Sequence, residues 1–302
     1  MRGTSGLVFA LAGLLGACKG PDTQPETPRP EPAPVAAADT PTTPVAKEPE
    51  VAKAPEPEEV AVAPKRPVAP DGTEAAECPV LSEGMACIPG GPFIRGINDG
   101  PTNAMPEQTV WLQTYAMDLN EVTFAEYQAC AKRRDCPRSG PQYLDFSRPE
   151  QPINGVSWFD ADTYCRAHGK HLPTEAQWEK AARGPDGDPF PWGDAPATCE
   201  NAIIKGAEGR GCGLLKAGKK PETGRVWPVG SRAPGHYGLY DMAGNSYEWV
   251  ADWYAPSYEA CGEACSGMDP KGPCDSAEKC PGYRRKGVRG GSWYWEADRA
   301  LG

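Results

Sequence analysis

All nine tryptophans of this 302-residue chain lie at or after Trp111, whereas residues 20–76 contain 14 prolines and no Phe, Trp or Tyr. That asymmetry decides where a core can form. A proline-rich segment without aromatic bulk buries too little apolar surface to offset the entropy of ordering it, so it is expected to stay disordered. Such chain is semi-rigid and extended at about 3.1 Å per residue, which makes it a tether of up to ~180 Å. The remainder is long enough for one domain with a real core. Of the net charge of −10, much sits in the tether, where residues 19–77 hold 12 acidic against 6 basic side chains. The densest basic run, Lys132-Arg133-Arg134, reads as a solvated helix end. No basic patch marks a nucleic-acid partner.

The first residues read as an export signal. Arg2 supplies a positive charge, and Leu7 to Ala17 are apolar or small throughout. That run is too short for a membrane span and suits a signal peptide. It ends in Leu15-Gly16-Ala17-Cys18, which looks like a bacterial lipobox, the cysteine being the site of lipidation. Two acyl chains on Cys18 would give stable attachment where one is marginal. The expected organisation is a signal peptide over 1–17, a disordered tether over 18–77 and a folded domain over 78–302. The expected location is the cell envelope, periplasmic or surface-facing, with the membrane as a partner through the anchor.

Eleven cysteines follow Cys18. In an exported domain they read as a disulfide framework. Short spacings predict Cys78 with Cys87, Cys130 with Cys136, and Cys199 with Cys212. Cys261, Cys265, Cys274 and Cys280 supply two more pairs, with three pairings possible. Cys165 lies within a helical stretch and is expected to be a buried, inert thiol. The late cluster lacks a Cys-x-x-Cys pair, and the chain has only three histidines, so zinc is set aside.

Three helices are predicted from their caps. One begins at Thr123, with Phe124, Tyr127 and Ala131 on one face. The second has Ser157 as N-cap, Asp160 three residues on, and stops at Gly169. The third starts at Thr174, whose capping box uses Gln177, and ends at Gly184; Trp178, Ala181 and Ala182 form its apolar stripe. Elsewhere the abundance of Gly, Pro, Trp and Asn predicts long irregular loops and a few short strands.

Six blocks in order make the chain recognisable. They are Ile88-Pro89-Gly90-Gly91-Pro92-Phe93; Asn120-Glu121-Val122-Thr123; Val156-Ser157-Trp158 running on to Leu172-Pro173-Thr174-Glu175-Ala176-Gln177-Trp178-Glu179; Pro191-Trp192-Gly193-Asp194; Gly238-Leu239-Tyr240-Asp241-Met242-Ala243-Gly244-Asn245-Ser246-Tyr247-Glu248-Trp249; and Arg289-Gly290-Gly291-Ser292-Trp293. The series resembles the sulfatase-modifying-factor family, whose founder is the formylglycine-generating enzyme, over roughly Met85 to Leu301. The resemblance implies an α+β, C-type-lectin-like fold with little regular secondary structure. It also implies an oxidase that converts a sulfatase cysteine to formylglycine with oxygen and copper(I), the copper held by two thiolates.

The chain departs from that pattern where the chemistry sits. Ser292 is kept, but the two positions matched to the copper-binding cysteines are Trp295 and Ala300. An indole and a methyl cannot replace the soft thiolates that copper(I) requires, and Trp295 is large enough to fill the space a metal would occupy. Copper is therefore not expected. The resemblance further implies a closing strand beyond the last residue given, without which a sheet edge and part of the core would be exposed. Structural calcium is implied at Asn201 and the carbonyl of Ala202, and at Gly244, Asn245, Ser246 and Glu248, as hard oxygen ligands from loops suit that ion. The expected function is a lipid-anchored binding or accessory module for a protein or glycan ligand, its specificity held in exposed loops. The alternative is an active oxidase that recruits other cysteines, such as Cys261 and Cys265.

Overall fold

The computed structural model describes residues 65–218 and 224–299. The expected signal peptide, Cys18, the first part of the tether and Ala300 lie outside the described residues.

Local capping chemistry sets the helices. In helix α1 (Phe124–Arg133) the Thr123 hydroxyl accepts from the Glu126 N–H, and the Glu126 carboxylate returns to the Thr123 N–H. Helix α2 (Trp158–Ala167) repeats this with Ser157 and Asp160, and helix α3 (Glu175–Arg183) with Thr174 and Gln177. Each box satisfies two N–H groups that the first turn leaves open. Gly184 ends α3 with φ of 69°, and a Cβ there would come within 2.8 Å of the His236 ring. A residue with a side chain would meet both strain and a clash at that point.

The strands are short. Strand β1 (Met85–Ile88) pairs antiparallel with β4 (Tyr115–Asp118), Ile88 opposite Tyr115. Strand β2 (Gly91–Arg95) pairs antiparallel with β3 (Gln108–Leu112), which takes β6 (Gly267–Met268) in parallel on its other side. Strand β5 (Glu248–Trp253) pairs antiparallel with β7 (Lys286–Arg289). A short helix, α4 (Tyr258–Cys261), follows β5. Mixed helix and strand with long loops between is the α+β arrangement expected. Among the described residues no helix is long and apolar enough to cross a membrane.

Five disulfides close local loops: Cys78–Cys87, Cys130–Cys136, Cys199–Cys212, Cys261–Cys265 and Cys274–Cys280. Three were set by spacing, and the late four resolve into sequential pairs. Cys165 is free and half-buried rather than enclosed.

One expectation is corrected. Residues 65–77 were assigned to the tether, yet they form a hairpin: Ala75 N–H donates to Pro67 O (2.8 Å) and Ala69 N–H to Thr73 O (2.7 Å). Ala69 and Ala75 are buried against Trp111. Small side chains suffice because the aromatic bulk comes from β3. The folded unit therefore starts ahead of Cys78.

Helix α3 differs from an amphipathic surface helix. Its stripe does enter the core, where fully buried Trp178 packs with Ile88, Ala181, Leu239, Met242 and Val250. Its polar face is buried too. Glu179, Lys180 and Arg183 are all enclosed, and each is satisfied. Glu179 accepts from Arg183 (2.6 Å), Arg289 (3.1 Å), the Tyr258 hydroxyl (2.8 Å) and the Gly96 N–H (2.6 Å). Arg95 donates to Glu175 and to Cys265 O, both at 2.8 Å. Burial alone would push the Glu179 carboxyl up; Arg289, Arg95 and Arg183 together hold it below its ordinary value. Lys180 donates to Pro89 O (2.8 Å) and Gly91 O (3.0 Å), and burial pushes its ammonium down to about 8.

Candidate functional site

The Gly290-Gly291-Ser292 turn leads out of β7 into an aromatic row. Ser292 is buried. The segment after it is held by its backbone: Trp293 N–H donates to Asn245 O (2.9 Å), Gly211 N–H to Trp293 O (2.7 Å) and Lys205 N–H to Trp295 O (2.8 Å). The rings continue from Tyr143 to Phe146 (5.9 Å), Trp293 (5.2 Å), Tyr294 (5.4 Å) and Trp295 (5.0 Å), centroid to centroid. The Arg210 guanidinium lies 3.6 Å over the Tyr294 ring, a cation–π arrangement.

Trp295, at the first matched copper position, is 47% exposed. That exposure does not match an indole enclosed in an internal metal-sized space: the Trp295 carbonyl accepts from Lys205 N–H, and its ring meets Tyr294 edge-on. Tyr143, 70% exposed, Phe146 and Arg210 were missed by sequence reasoning. The run Trp293-Tyr294-Trp295 was a visible signal, but nothing in the sequence connects it to residues some 150 positions earlier. Cys261 and Cys265, the proposed substitute thiols, are bonded to each other.

A polar cluster surrounds the Gly244-Asn245-Ser246 loop. The bridge between Ile203 and Gly244 brings the Asn201 loop beside it. Glu121, from the Asn-Glu-Val-Thr block, accepts from Asn245 Nδ2 (2.7 Å) and Ser246 N–H (2.9 Å). Asn245 Oδ1 accepts from Trp227 N–H (3.0 Å), and Asn201 Oδ1 from Thr198 N–H (2.7 Å). Glu248 accepts from the Trp178 indole N–H (2.8 Å). Burial pushes the Glu248 carboxyl up to about 7, with nearby Asp241 adding to it. Burial also raises Glu121 well above the carboxylate range, helped by Asp241 and Glu248. Burial raises Asp241 too, against the Gly230 N–H and Arg232. Among the described residues the ion pairs include none of these three carboxylates.

Beside that cluster opens a cavity of about 490 Å³, within the roughly 300–1,000 Å³ of ligand pockets. Its wall takes in all of β4, parts of α1 and α2, and the segments 169–173 and 246–249. Tyr127, Tyr164, Tyr240 and Trp249 give it an aromatic lining, and Asp118, Glu121, Lys170 and Glu248 reach it. Lys170 and Asp118 pair with each other. Cys165 also lines it; burial pushes its thiol up to about 11. It is therefore protonated near neutral pH and no thiolate ligand there.

Known proteins are similar to this chain. The formylglycine-generating enzyme of Streptomyces coelicolor is 30% identical over 292 residues, covering 78% of this chain and 86% of that protein. The mouse protein named inactive C-alpha-formylglycine-generating enzyme 2 is 28% identical over 235 residues, covering 60% and 74%. Serine/threonine-protein kinase pkn1 of Chlamydia pneumoniae is 32% identical over 234 residues, covering 71% of this chain but 33% of the kinase, so the chain spans about a third of that relative's length. The solved structure of PvdO from Pseudomonas aeruginosa overlays with a TM-score of 0.53 at 23% identity, covering 76% of this chain and 93% of that one, a likeness of fold. Residues 72–301 match the sulfatase-modifying factor enzyme 1-like domain, and the chain belongs to that family.

Proposed function

We propose that this family member has no copper oxidase activity and serves as a binding module in the cell envelope, anchored through Cys18 and presenting loops to a protein or glycan ligand. The observation that carries the reading is the state of the thiols. Copper(I) needs soft ligands held close together. Among the described residues ten cysteines are tied into disulfides and Cys165 alone is free. A half-exposed indole stands at the first matched position. Function resides in the site rather than in the fold, so family membership alone does not restore the oxidase. The aromatic row, with Tyr143 and Trp295 exposed, suits contact with a partner.

The test incubates purified protein with copper, oxygen, a thiol reductant and a Cys-x-Pro-x-Arg peptide, and looks by mass spectrometry for the aldehyde. No conversion is expected. Turnover abolished by C261S or C265S would establish the opposite reading, an oxidase whose site has moved. The anchor is read separately: an alkyne fatty acid should label the wild type and not C18S.

Calcium is a second element of the proposal. The fit rests on hard oxygen donors: the Glu248 carboxylate, outside every ion pair among the described residues, with the carbonyls of the Gly244-Asn245-Ser246 loop. The side-chain oxygens of Asn245 and Asn201 are already accepting from backbone N–H groups, so their contribution would come from the backbone around them, as with Ala202. A bound divalent cation would favour the charged Glu248 carboxylate against the burial, and the nearby Asp241, that now raise it.

A further inference from the structure

A single apolar side chain at a surface needs no explanation; three held together do. Tyr143 (70% exposed), Leu144 (62%) and Leu215 (54%) belong to two loops that are joined directly behind them. At the junction Leu144 lies so close to Gly218 that a Cβ there would come within 2.6 Å of its side chain. A buried ionic hub fixes the arrangement. The Asp145 carboxylate accepts from Arg148 Nε (2.6 Å), Arg225 Nε (2.9 Å) and Ala217 N–H (2.9 Å), and the Asp145 carbonyl accepts from buried Gln151 (3.0 Å). The side chains of Asp145 and Arg225 are both less than a tenth exposed. Burial would push the Asp145 carboxyl up, and the Ala217 N–H, Arg148 and Arg225 together hold it below its ordinary value. Asp145 takes the left-handed conformation, with φ of 70°, and Phe146 after it is buried. Desolvating an ion pair is costly, and here it secures a turn that leaves Tyr143 and Leu144 in water.

The local charge is opposite to that of the whole chain. Residues 205–225 hold six basic and two acidic side chains, a net +4 in a protein whose total is −10. No three of these cations are adjacent, so the segment is less conspicuous in the sequence than Lys132-Arg133-Arg134. Lys216 follows Leu215 directly, and Arg148, its side chain 52% exposed, stands beside Asp145. We propose that this face docks on a membrane surface rich in anionic lipid, with Tyr143, Leu144 and Leu215 entering the headgroup boundary and Arg148 and Lys216 meeting the headgroup charge. Apolar tips interleaved with cations suit a bilayer interface, where aromatic rings sit at headgroup level and Lys and Arg are drawn to anionic lipid. A protein partner would need an apolar centre within a polar rim over roughly 800 Å², and three side chains on loop tips do not supply one. The proposal goes beyond the binding-module reading and takes from it only the envelope location: the anchor would bring the bilayer within reach, and this face would set how the domain lies against it. Labelling at Cys18 tests the anchor, whereas the experiment here leaves acyl chains out, so either can fail alone.

The experiment uses residues 18–302 carrying C18S, the length that signal cleavage would leave. Co-sedimentation compares vesicles of phosphatidylcholine alone with vesicles that also contain about 30% phosphatidylglycerol. Binding to the anionic vesicles should be at least about tenfold tighter and should be lost at about 0.5 M salt. L144S combined with L215S should weaken it about tenfold by removing apolar area from the contact. K216E should weaken it as well, and both variants should keep the thermal unfolding of the parent, since they alter the surface. Hydrogen exchange should slow at residues 143–148 and 211–217 when anionic vesicles are added. Equal binding to both kinds of vesicle, or to neither, overturns the proposal. So does anionic-vesicle binding that L144S with L215S leaves unchanged, which would reduce the contact to diffuse charge. Slowed exchange confined to other loops would place the contact elsewhere. Self-association through the two leucines without lipid would make the occupant a second copy, and loops already protected in the free chain would mean that the chain covers its own face; each of these also overturns it.

Discussion

Two regions of this molecule bury carboxylates beside the same tryptophan, and they treat them in opposite ways. On one side of Trp178, Glu179 sits among Arg95, Arg183 and Arg289 and is held below the ordinary carboxylate range against the cost of its burial. On the other, Glu248 bonds to the Trp178 indole and is pushed up to about 7 by burial and Asp241. Burial is common to both; guanidinium partners are not. Three arginines hold one carboxylate in its charged form, and burial beside another acid raises the other.

Breaking the matched side should have the largest effect. Removing one partner of a buried pair leaves an uncompensated charge and costs about 3–5 kcal/mol. R289A strips one donor from both Glu175 and Glu179, and denaturant unfolding should show a loss of that order. A loss under about 1 kcal/mol would mean that Arg95 and Arg183 suffice and that the network is redundant.

The unmatched side should show a smaller, pH-dependent effect. Because the folded pKa of Glu248 is raised, the folded state binds more protons than the unfolded state between about 4.5 and 7. Its contribution is therefore fully present below the unfolded pKa and is lost as pH rises through that window. Glu179 has the reverse sign: its contribution is present above the unfolded pKa and is lost as acid titrates the folded carboxylate. In chelator, stability measured from pH 5 to 7.5 should decline on this account, and E248Q should flatten the decline. Calcium at a hundredfold excess over Kd should stabilise the wild type by about 2.7 kcal/mol and select the charged carboxylate, removing the slope, whereas E248Q, already flat, should gain nothing from calcium. A wild-type profile indifferent to both chelation and calcium would dissolve the contrast with Glu179.

Much of the matched side was legible locally. Thr123, Ser157 and Thr174 announce their helices because a cap is satisfied within three residues, and Cys78–Cys87, Cys130–Cys136 and Cys199–Cys212 close loops short enough to be read from spacing. The order of motifs gave the fold. The rest depends on contacts distant in sequence. Glu179 reads as a solvent-facing helix residue until β7 delivers Arg289 and β2 delivers Arg95. The hairpin at 65–77 has no apolar bulk of its own and is ordered by Trp111. Glu121 was visible as part of a motif, but its place beside Asp241 and Glu248 arises only when the loop at 244–246 folds onto it. The cavity belongs to no single segment, since its lining joins Tyr115–Asp118 with residues 246–249, more than a hundred positions apart.

The smallest expected effect is at Trp295, and it bears on how the missing copper ligands should be understood. Had the indole replaced a metal by filling an internal space, deleting it would leave a cavity, and W295A would cost about 3–5 kcal/mol, as for a buried aromatic. The structure instead anchors the residue through its backbone carbonyl to Lys205 and leaves 47% of it exposed. An alanine keeps that carbonyl bond and loses chiefly the edge contact with Tyr294. Surface substitutions of this kind change stability by about 0.5 kcal/mol or less, and thermal unfolding of W295A should stay within that range. The same variant should lose affinity for a ligand that reads the aromatic row, since exposed aromatics contribute to contacts made in the complex rather than in the free fold. Stability unchanged with binding weakened would assign Trp295 to recognition. Large destabilisation would return it to the core and restore the view that bulk, rather than the absence of thiolates, closed the copper site.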